Sequence, residues 1–385
     1  MKTYNQILEE NKKWAEETFA KVDKKMAKVT LRSRDILADG CDECGMHKDC
    51  RDIAWWTNGF WGGLNHLLYN KTGNEEYLKT ALASEKRMDE ALYKNYGALH
   101  HDVGFMWHIL SGANYRLPGD KDSRDRNLHA AATLFSRFVL DGGYIIAWNG
   151  KPHQNWTIID CLMNLPLLYW ASEELGDDRF KRVAMAHADM AMEQHVRPDG
   201  SVIHIAEHDR ETGEVVATHG GQGYAIGSSW TRGQAWAAYG FVISYLHTGE
   251  ERYLNTAKLV ANYFIASCCD DWKVRVDFRA PVEPVMYDSS AGLITACALI
   301  ELAKALPECE GGMYMNAAVN LLRATDECFA DYSEQTDTLV THGTVRYPVE
   351  SFTTDAAKVH GYLPYGDFYY TEAILKLLDS SFNPW

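Results

Sequence analysis

Six stretches of this chain share one pattern, and that pattern limits the folds open to it. Each begins on a polar or charged residue and continues through small and aromatic apolar residues for three to five helical turns. They start near Asn58 (NGFWGGLNHLLYNKTG), Asp102 (DVGFMWHILSGANYRL), Asp160 (DCLMNLPLLYWASEELG), Arg232 (RGQAWAAYGFVISYLHTG), Asp288 (DSSAGLITACALIELAKAL) and Asp367 (DFYYTEAILKLLDSS). The starts lie 44, 58, 72, 56 and 79 residues apart. Three stretches run into the same stop signature, KTGNEEYLKTA, ELGDDRFKRVA and HTGEERYLNTA. There Gly supplies a left-handed C-cap, a polar residue opens the next helix, and Tyr or Phe staples it. The helix that follows is more amphipathic, as in YLNTAKLVANYF over 253–264. Each unit therefore reads as an αα-hairpin with one nearly all-apolar helix and one that keeps a solvent face. Six such hairpins predict an all-α fold, an (α/α)6 barrel with apolar helices inside and amphipathic ones outside. An open solenoid would leave the apolar helices exposed along its concave face. Minor β segments are expected in long loops, at SVIHIAEHD (201–209) and WKVRVDF (272–278). No low-complexity linker divides residues 1–385, so the expectation is a single catalytic domain, although the length alone suggests two or three.

The chain carries 53 acidic against 38 basic side chains, a formal charge of −15. With no basic block there is no field to hold a run of phosphates, which argues against nucleic acid and membrane surfaces as partners. The N-terminal MKTYNQILEENKKWAEETFAKVDKK is charged throughout and lacks the apolar core of a signal peptide. Nine cysteines, an odd number spread over a long chain, suit free thiols in a reducing compartment. The expected location is cytoplasmic. One cluster, Cys41, Cys44, His47 and Cys50, contains only zinc-ligand types, but its uniform three-residue step is tighter than a zinc knuckle and no second pair stands at finger spacing. A loop that happens to hold several thiols is the preferred reading.

If the apolar helices run parallel, their first residues meet at one end of the barrel. Asp at a helix start has a plain explanation as a cap that suits the helix dipole. Asp160 fits that explanation least, because it follows Thr157-Ile158-Ile159 and precedes an apolar stretch. A carboxyl among apolar neighbours tends to hold its proton and can act as a general acid. Asp102 and Asp160, flanked by His101 and several tryptophans, fit carbohydrate chemistry, since aromatic faces stack on sugar rings and carboxyls move protons. The tryptophans gather near the expected mouth: Trp55, Trp56 and Trp61; Trp148 and Trp156; Trp230 and Trp236. Barrel packing is the ready explanation for Trp61.

Five separated motifs then carry a resemblance. HHDVGF (100–105), IIDCLMNLPLLYWA (158–171), SSWTRGQAW (228–236), YDSSA (287–291) and YGDFYY (365–370) resemble the unsaturated glucuronyl hydrolases of glycoside hydrolase family 88. The resemblance implies an (α/α)6 barrel and a particular reaction. Polysaccharide lyases leave a C4=C5 double bond on the non-reducing sugar of glycosaminoglycan fragments. These enzymes add water across it, and the resulting hemiketal opens and releases the rest of the di- or oligosaccharide. The rules linking carboxyl separation to stereochemistry in ordinary glycosidases do not apply to such a vinyl-ether hydration.

By the same resemblance, Asp160 protonates C4 and activates the water. Asp102 binds sugar hydroxyls and keeps the proton on Asp160. His101, Trp56, Trp148, His204, Gln222, Arg232 and Trp236 form the binding wall, and no metal or organic cofactor takes part. Some relatives select sulfated substrates through a Ser/Lys cluster before the last motif. Here SFTTDAAKVHGYLPYGD offers Lys358 without the paired serines.

The alternatives are an unsaturated rhamnogalacturonyl hydrolase acting on pectin fragments, a sugar epimerase on the same barrel, and a non-catalytic sugar-binding protein. The HHD and SSWTRGQAW motifs favour the glucuronyl reading. An epimerase would want opposed histidine bases where this chain has Asp. A mere binder would not need an Asp pair. A monomer or homodimer is expected.

Overall fold

The computed structural model describes residues 2–348, 358–380 and 382–385. Among the described residues, twelve helices build the barrel, six of them lining its inside, and a single turn at Ala91–Lys94 lies between two of them. The inner set is α2 (Asn58–Thr72), α4 (Gly104–Gly112, continued by Ala113–Arg116), α6 (Pro166–Leu175), α8 (Thr231–Thr248), α10 (Ser289–Ala305) and α12 (Pro364–Leu377). Neighbours pack in that order, a 3-10 turn at Ile159–Asn164 seats α6, and α12 returns against α2 to close the ring. The outer set is α1 (Tyr4–Arg32), α3 (Glu75–Met88), α5 (Lys121–Phe135), α7 (Arg179–Gln194), α9 (Glu251–Ser267) and α11 (Glu308–Cys328). This is the (α/α)6 barrel that the periodicity predicts.

The local rules hold where they were read. Gly73, Gly176 and Gly249 end α2, α6 and α8 at φ of 68°, 61° and 72°. Asn74 then caps α3 by accepting from the Glu76 N–H, and Tyr77 and Tyr253 are fully buried staples. From Thr231 to Ser244, every residue of α8 is buried, as a helix inside a ring must be.

The hairpin order departs from the expectation at one place. The sixth outer helix is instead α1, whose buried stripe of Ala15, Val22, Met26 and Val29 packs against α11 and α12. A Thr3–Gln6 capping box starts it. The barrel is thus closed by joining the two ends of the chain.

The β structure is small. Strands β1 (Ala38–Cys41) and β2 (His47–Asp49) form a hairpin, and β3 (Phe138–Val139) pairs with β4 (Tyr144–Ile145). A three-stranded antiparallel sheet follows, with β6 (Ile205–His208) between β5 (Trp156–Ile158) and β7 (Val215–His219). The segment at 201–209 therefore contains a strand. The one at 272–278 makes only isolated bridges, Trp230 to Asp277 and Arg275 to Tyr287. Among the described residues no helix is long and apolar enough to cross a membrane.

Candidate active site

The inner helices bring their N-terminal ends to one side of the barrel, where a cavity of about 470 Å³ opens. Eight of the nine candidate residues line it: Asp102, Asp160, His101, Trp56, Trp148, Gln222, Arg232 and Trp236. The ninth, His204 on the turn before β6, stands behind Asp160.

Asp160 sits in the 3-10 turn that follows β5, so the sheet fixes its position before α6 begins. Its Oδ2 is buried with no protein hydrogen bond. The nearest partner is Nε2 of His204 at 3.6 Å, which is also without a hydrogen bond. The backbone N–H of Gln222 donates to His204 Nδ1 at 3.0 Å. Nδ1 also lies 3.3 Å from the Gly220 carbonyl, but the Gln222 N–H is closer, so with Nδ1 accepting from it the neutral ring carries its proton on Nε2, facing Asp160. At 3.6 Å the contact falls short of a hydrogen bond, and contacts of this kind tighten when substrate binds.

Asp102 is held differently. His101 Nε2 lies 3.1 Å from Oδ1 and His100 Nδ1 3.2 Å from Oδ2. Burial alone would raise the Asp102 carboxyl, but the two imidazoles outweigh it and hold it well below the usual carboxylate range. Burial likewise opposes the charge on His101, and Asp102 more than offsets that, so His101 is pushed up. Its Nδ1 donates to the Ala147 carbonyl at 2.8 Å, which fixes the ring. Asp102 and His101 therefore form an ion pair beside Asp160, whose Oδ2 makes no hydrogen bond.

Asn164 joins the two carboxylate positions and was missed from the sequence. Its Nδ2 lies 3.4 Å from Asp102 Oδ1 and 3.5 Å from the Asp160 carbonyl, while its Oδ1 accepts from the Phe105 N–H at 2.8 Å. The signal was present in IIDCLMN, where Asn164 is the one other polar side chain in an apolar run that begins at Asp160. A Cβ on Gly104 would stand 2.7 Å from Asn164, so only glycine lets α4 come this close.

Arg232 faces the cavity with its hydrogen bonds already assigned. It is fully buried, pairs with Asp288, and donates to the Thr344 and Val345 carbonyls at 2.8 and 2.6 Å. Its guanidinium lies 4.5 Å over the Trp230 ring. Gln222 Nε2 donates to the same Val345 carbonyl at 2.6 Å. Both residues therefore hold the 344–347 segment against the mouth, where Arg346 joins the wall, and Lys358 lines it as well. Of the stretch SFTTDAAKVHGYLPYGD, residues 351–357 lie outside the described residues, and Lys358 lines the cavity.

Aromatic rings supply most of the remaining wall. Trp55, Trp56, Trp148, Trp230, Trp236 and Tyr365 all line it. Trp61 is core, with its Nε1 donating to the Ser33 carbonyl, and Trp156 stacks at 4.1 Å on His219 outside the cavity. Asp39 from β1 also enters, accepting from Trp55 Nε1 at 2.8 Å and Thr57 Oγ1 at 2.6 Å, and nothing in its sequence context marks it.

The helix-start expectation is corrected for three residues. Asn58 donates to the Asp52 carbonyl, Asp288 pairs with Arg232, and Asp367 accepts from the Leu339 and Val340 N–H groups. None of the three lines the cavity. The Cys41–Cys50 cluster disperses as well. Cys41 Sγ meets Thr338 Oγ1 at 3.3 Å, His47 Nδ1 meets Ser33 Oγ at 3.2 Å, and Cys50 donates to the Asp52 carbonyl. All nine cysteines are free thiols. Among the described residues, the one group with metal-ligand spacing is His100, His101 and Asp102, already occupied by its own ion pairs.

Comparison with known proteins agrees with this geometry. The profile of Glycosyl Hydrolase Family 88 matches residues 20–292. The chain is 38% identical over 333 residues to the unsaturated glucuronyl hydrolase of Bacillus sp. strain GL1, covering 85% of this chain and 87% of that one. The chain belongs to glycoside hydrolase family 88. It is a glycoside hydrolase. Among solved family members, the unsaturated glucuronyl hydrolase of Bacillus sp. GL1 superposes with a TM-score of 0.87 at 33% identity, covering 94% of this chain and 96% of the other. A variant of the Streptococcus agalactiae enzyme complexed with dGlcA-GalNAc6S superposes with a TM-score of 0.81 at 27% identity, covering 96% and 94%.

Proposed function

We propose that this chain is an unsaturated glucuronyl hydrolase that removes the non-reducing 4,5-unsaturated glucuronate from lyase-generated glycosaminoglycan fragments, with Asp160 as its acid and base. The observation that carries the reading is Asp160 Oδ2, a buried carboxylate oxygen without a protein partner, facing an aromatic cavity beside an ion-paired Asp102. Family membership and the dGlcA-GalNAc6S complex of a relative support the choice of substrate class.

In this account the sugar ring packs among Trp56, Trp148 and Trp236, which shield the reacting carbons from bulk water. Arg346 and Lys358 supply cationic wall for the uronate carboxylate. Asp160 gives its proton to C4, and positive charge develops at C5 and the ring oxygen. The same carboxylate then takes a proton from water as the oxygen bonds to C5. His204 Nε2–H steadies the carboxylate while it is charged. The C5 hemiketal opens to a ketone, C1 becomes an aldehyde, and the downstream sugar leaves carrying the proton. Asp102, kept anionic by His101 and His100, accepts from the sugar hydroxyls and fixes the ring over Asp160.

Following the unsaturated-uronate absorbance with a chondroitin or heparin disaccharide tests the reading. Steady loss with wild type and none with Asp160→Asn is expected. Full activity in Asp160→Asn overturns the assignment. Activity confined to a pectin-derived unsaturated rhamnogalacturonan disaccharide overturns the glycosaminoglycan class.

A further inference from the structure

The last residues of the sequence enter the barrel from the end opposite the cavity. Arg116, at the C-terminal end of α4, donates to the Asn383 and Pro384 carbonyls at 2.9 and 2.5 Å and covers the Phe382 ring at 5.0 Å. This places Trp385 inside the ring of inner helices, where it is 4% exposed. Its Nε1 lies 3.2 Å from each carboxylate oxygen of Glu372 on α12, which also pairs with Lys376 and accepts from Tyr239.

The indole completes an aromatic layer. It stacks on Tyr369 at 5.9 Å with the rings 9° apart, and meets Phe368, Tyr239 and Phe105 at 6.0, 6.2 and 6.0 Å. Phe105 is the connection to the active site. Its other faces meet Trp236 at 5.1 Å and Trp56 at 5.8 Å, both in the cavity wall, and its N–H is held by Asn164. One ring therefore separates Trp385 from the surface on which the substrate lies. Close-packed interiors pass displacement on instead of absorbing it, so the position of Trp385 is coupled to that surface.

We infer that Trp385 is a positioning residue for the substrate wall, acting through Phe105 on Trp56 and Trp236. The kinetic part of its test rests on the proposed substrate, and the crystallographic part does not. Trp385→Leu removes the ring and is expected to raise KM about tenfold with a smaller change in kcat. Trp385→Phe retains a ring and is expected to restore KM to within about twofold of wild type. Structural damage alone would lower the active fraction, and so kcat, at unchanged KM. A crystal structure of Trp385→Leu should show the Trp56 or Trp236 indole displaced by about 1 Å, a shift of the size that impairs catalysis. Unmoved indoles, or unchanged KM in a folded Trp385→Leu, overturn the inference. Should that variant not fold, Arg116→Gln loosens the anchor without touching the aromatic layer, and unmoved indoles there overturn it equally.

Discussion

Asp102 and Asp160 are the same residue type in one cavity, and their surroundings assign them different work. Asp102 is closed off by two imidazoles and stays ionised, while Asp160 lines the cavity with an oxygen that no protein group hydrogen-bonds. Asp160→Asn preserves shape but cannot cycle a proton, and kcat should fall by about 10²–10⁴-fold in steady-state assays. His204→Asn removes the imidazole N–H aimed at Asp160. Its expected signature is a lowered kcat, by about 10- to 100-fold, with KM little changed, because the contact matters when the carboxylate is charged. A rise in KM alone would show that His204 only binds substrate.

Between residue and fold stand the elements that set these distances. Helix α4 approaches the Asp160 turn closely because Gly104 has no Cβ, and Asn164 fills the contact. Gly104→Ala should destabilise the protein by about 1–3 kcal/mol, read from the denaturant midpoint, and reduce activity as Asn164 moves. Helix α12 carries a different device. Asp367 is fully buried and clamps the 339–340 backbone, and burial pushes its carboxyl up to about 7, only partly offset by the Val340 and Leu339 N–H groups. A folded value above the ordinary 3.8 means the protonated form is favoured on folding. This contribution is full below about pH 4 and is lost as pH rises through about 7. Between pH 5 and 8, Tm of wild type should therefore fall relative to Asp367→Asn, and parallel curves would contradict the assignment.

At the scale of the molecule, the barrel and its active end were legible because apolar helices with polar starts leave few other ways to bury themselves. Asp102, Asp160 and the Trp-rich wall followed from where those starts must converge. The closure by α1 was not legible, since an amphipathic helix records only that one face is covered, not by which partner. The sequence set Asp160 apart from Asp288 and Asp367 by its apolar flanks and by the motif resemblance, not by what the other two carboxylates do. All three begin apolar helices, and only packing shows that the last two are already engaged by Arg232 and by backbone N–H groups. Closure by α1 has a stability consequence. Met26→Ala, in its fully buried stripe, should cost about 2–5 kcal/mol in denaturant unfolding of the whole protein, whereas an outer helix loosely attached to a stable core would lose far less.

The central claim is that the bond attacked is C4=C5 and not the glycosidic bond itself. It is tested most directly by following the unsaturated-uronate absorbance and the released hexosamine together, in one reaction on a chondroitin disaccharide. Equal loss of absorbance and gain of hexosamine, both abolished in Asp160→Asn, is the result the account expects. Hexosamine released while the absorbance persists would contradict it.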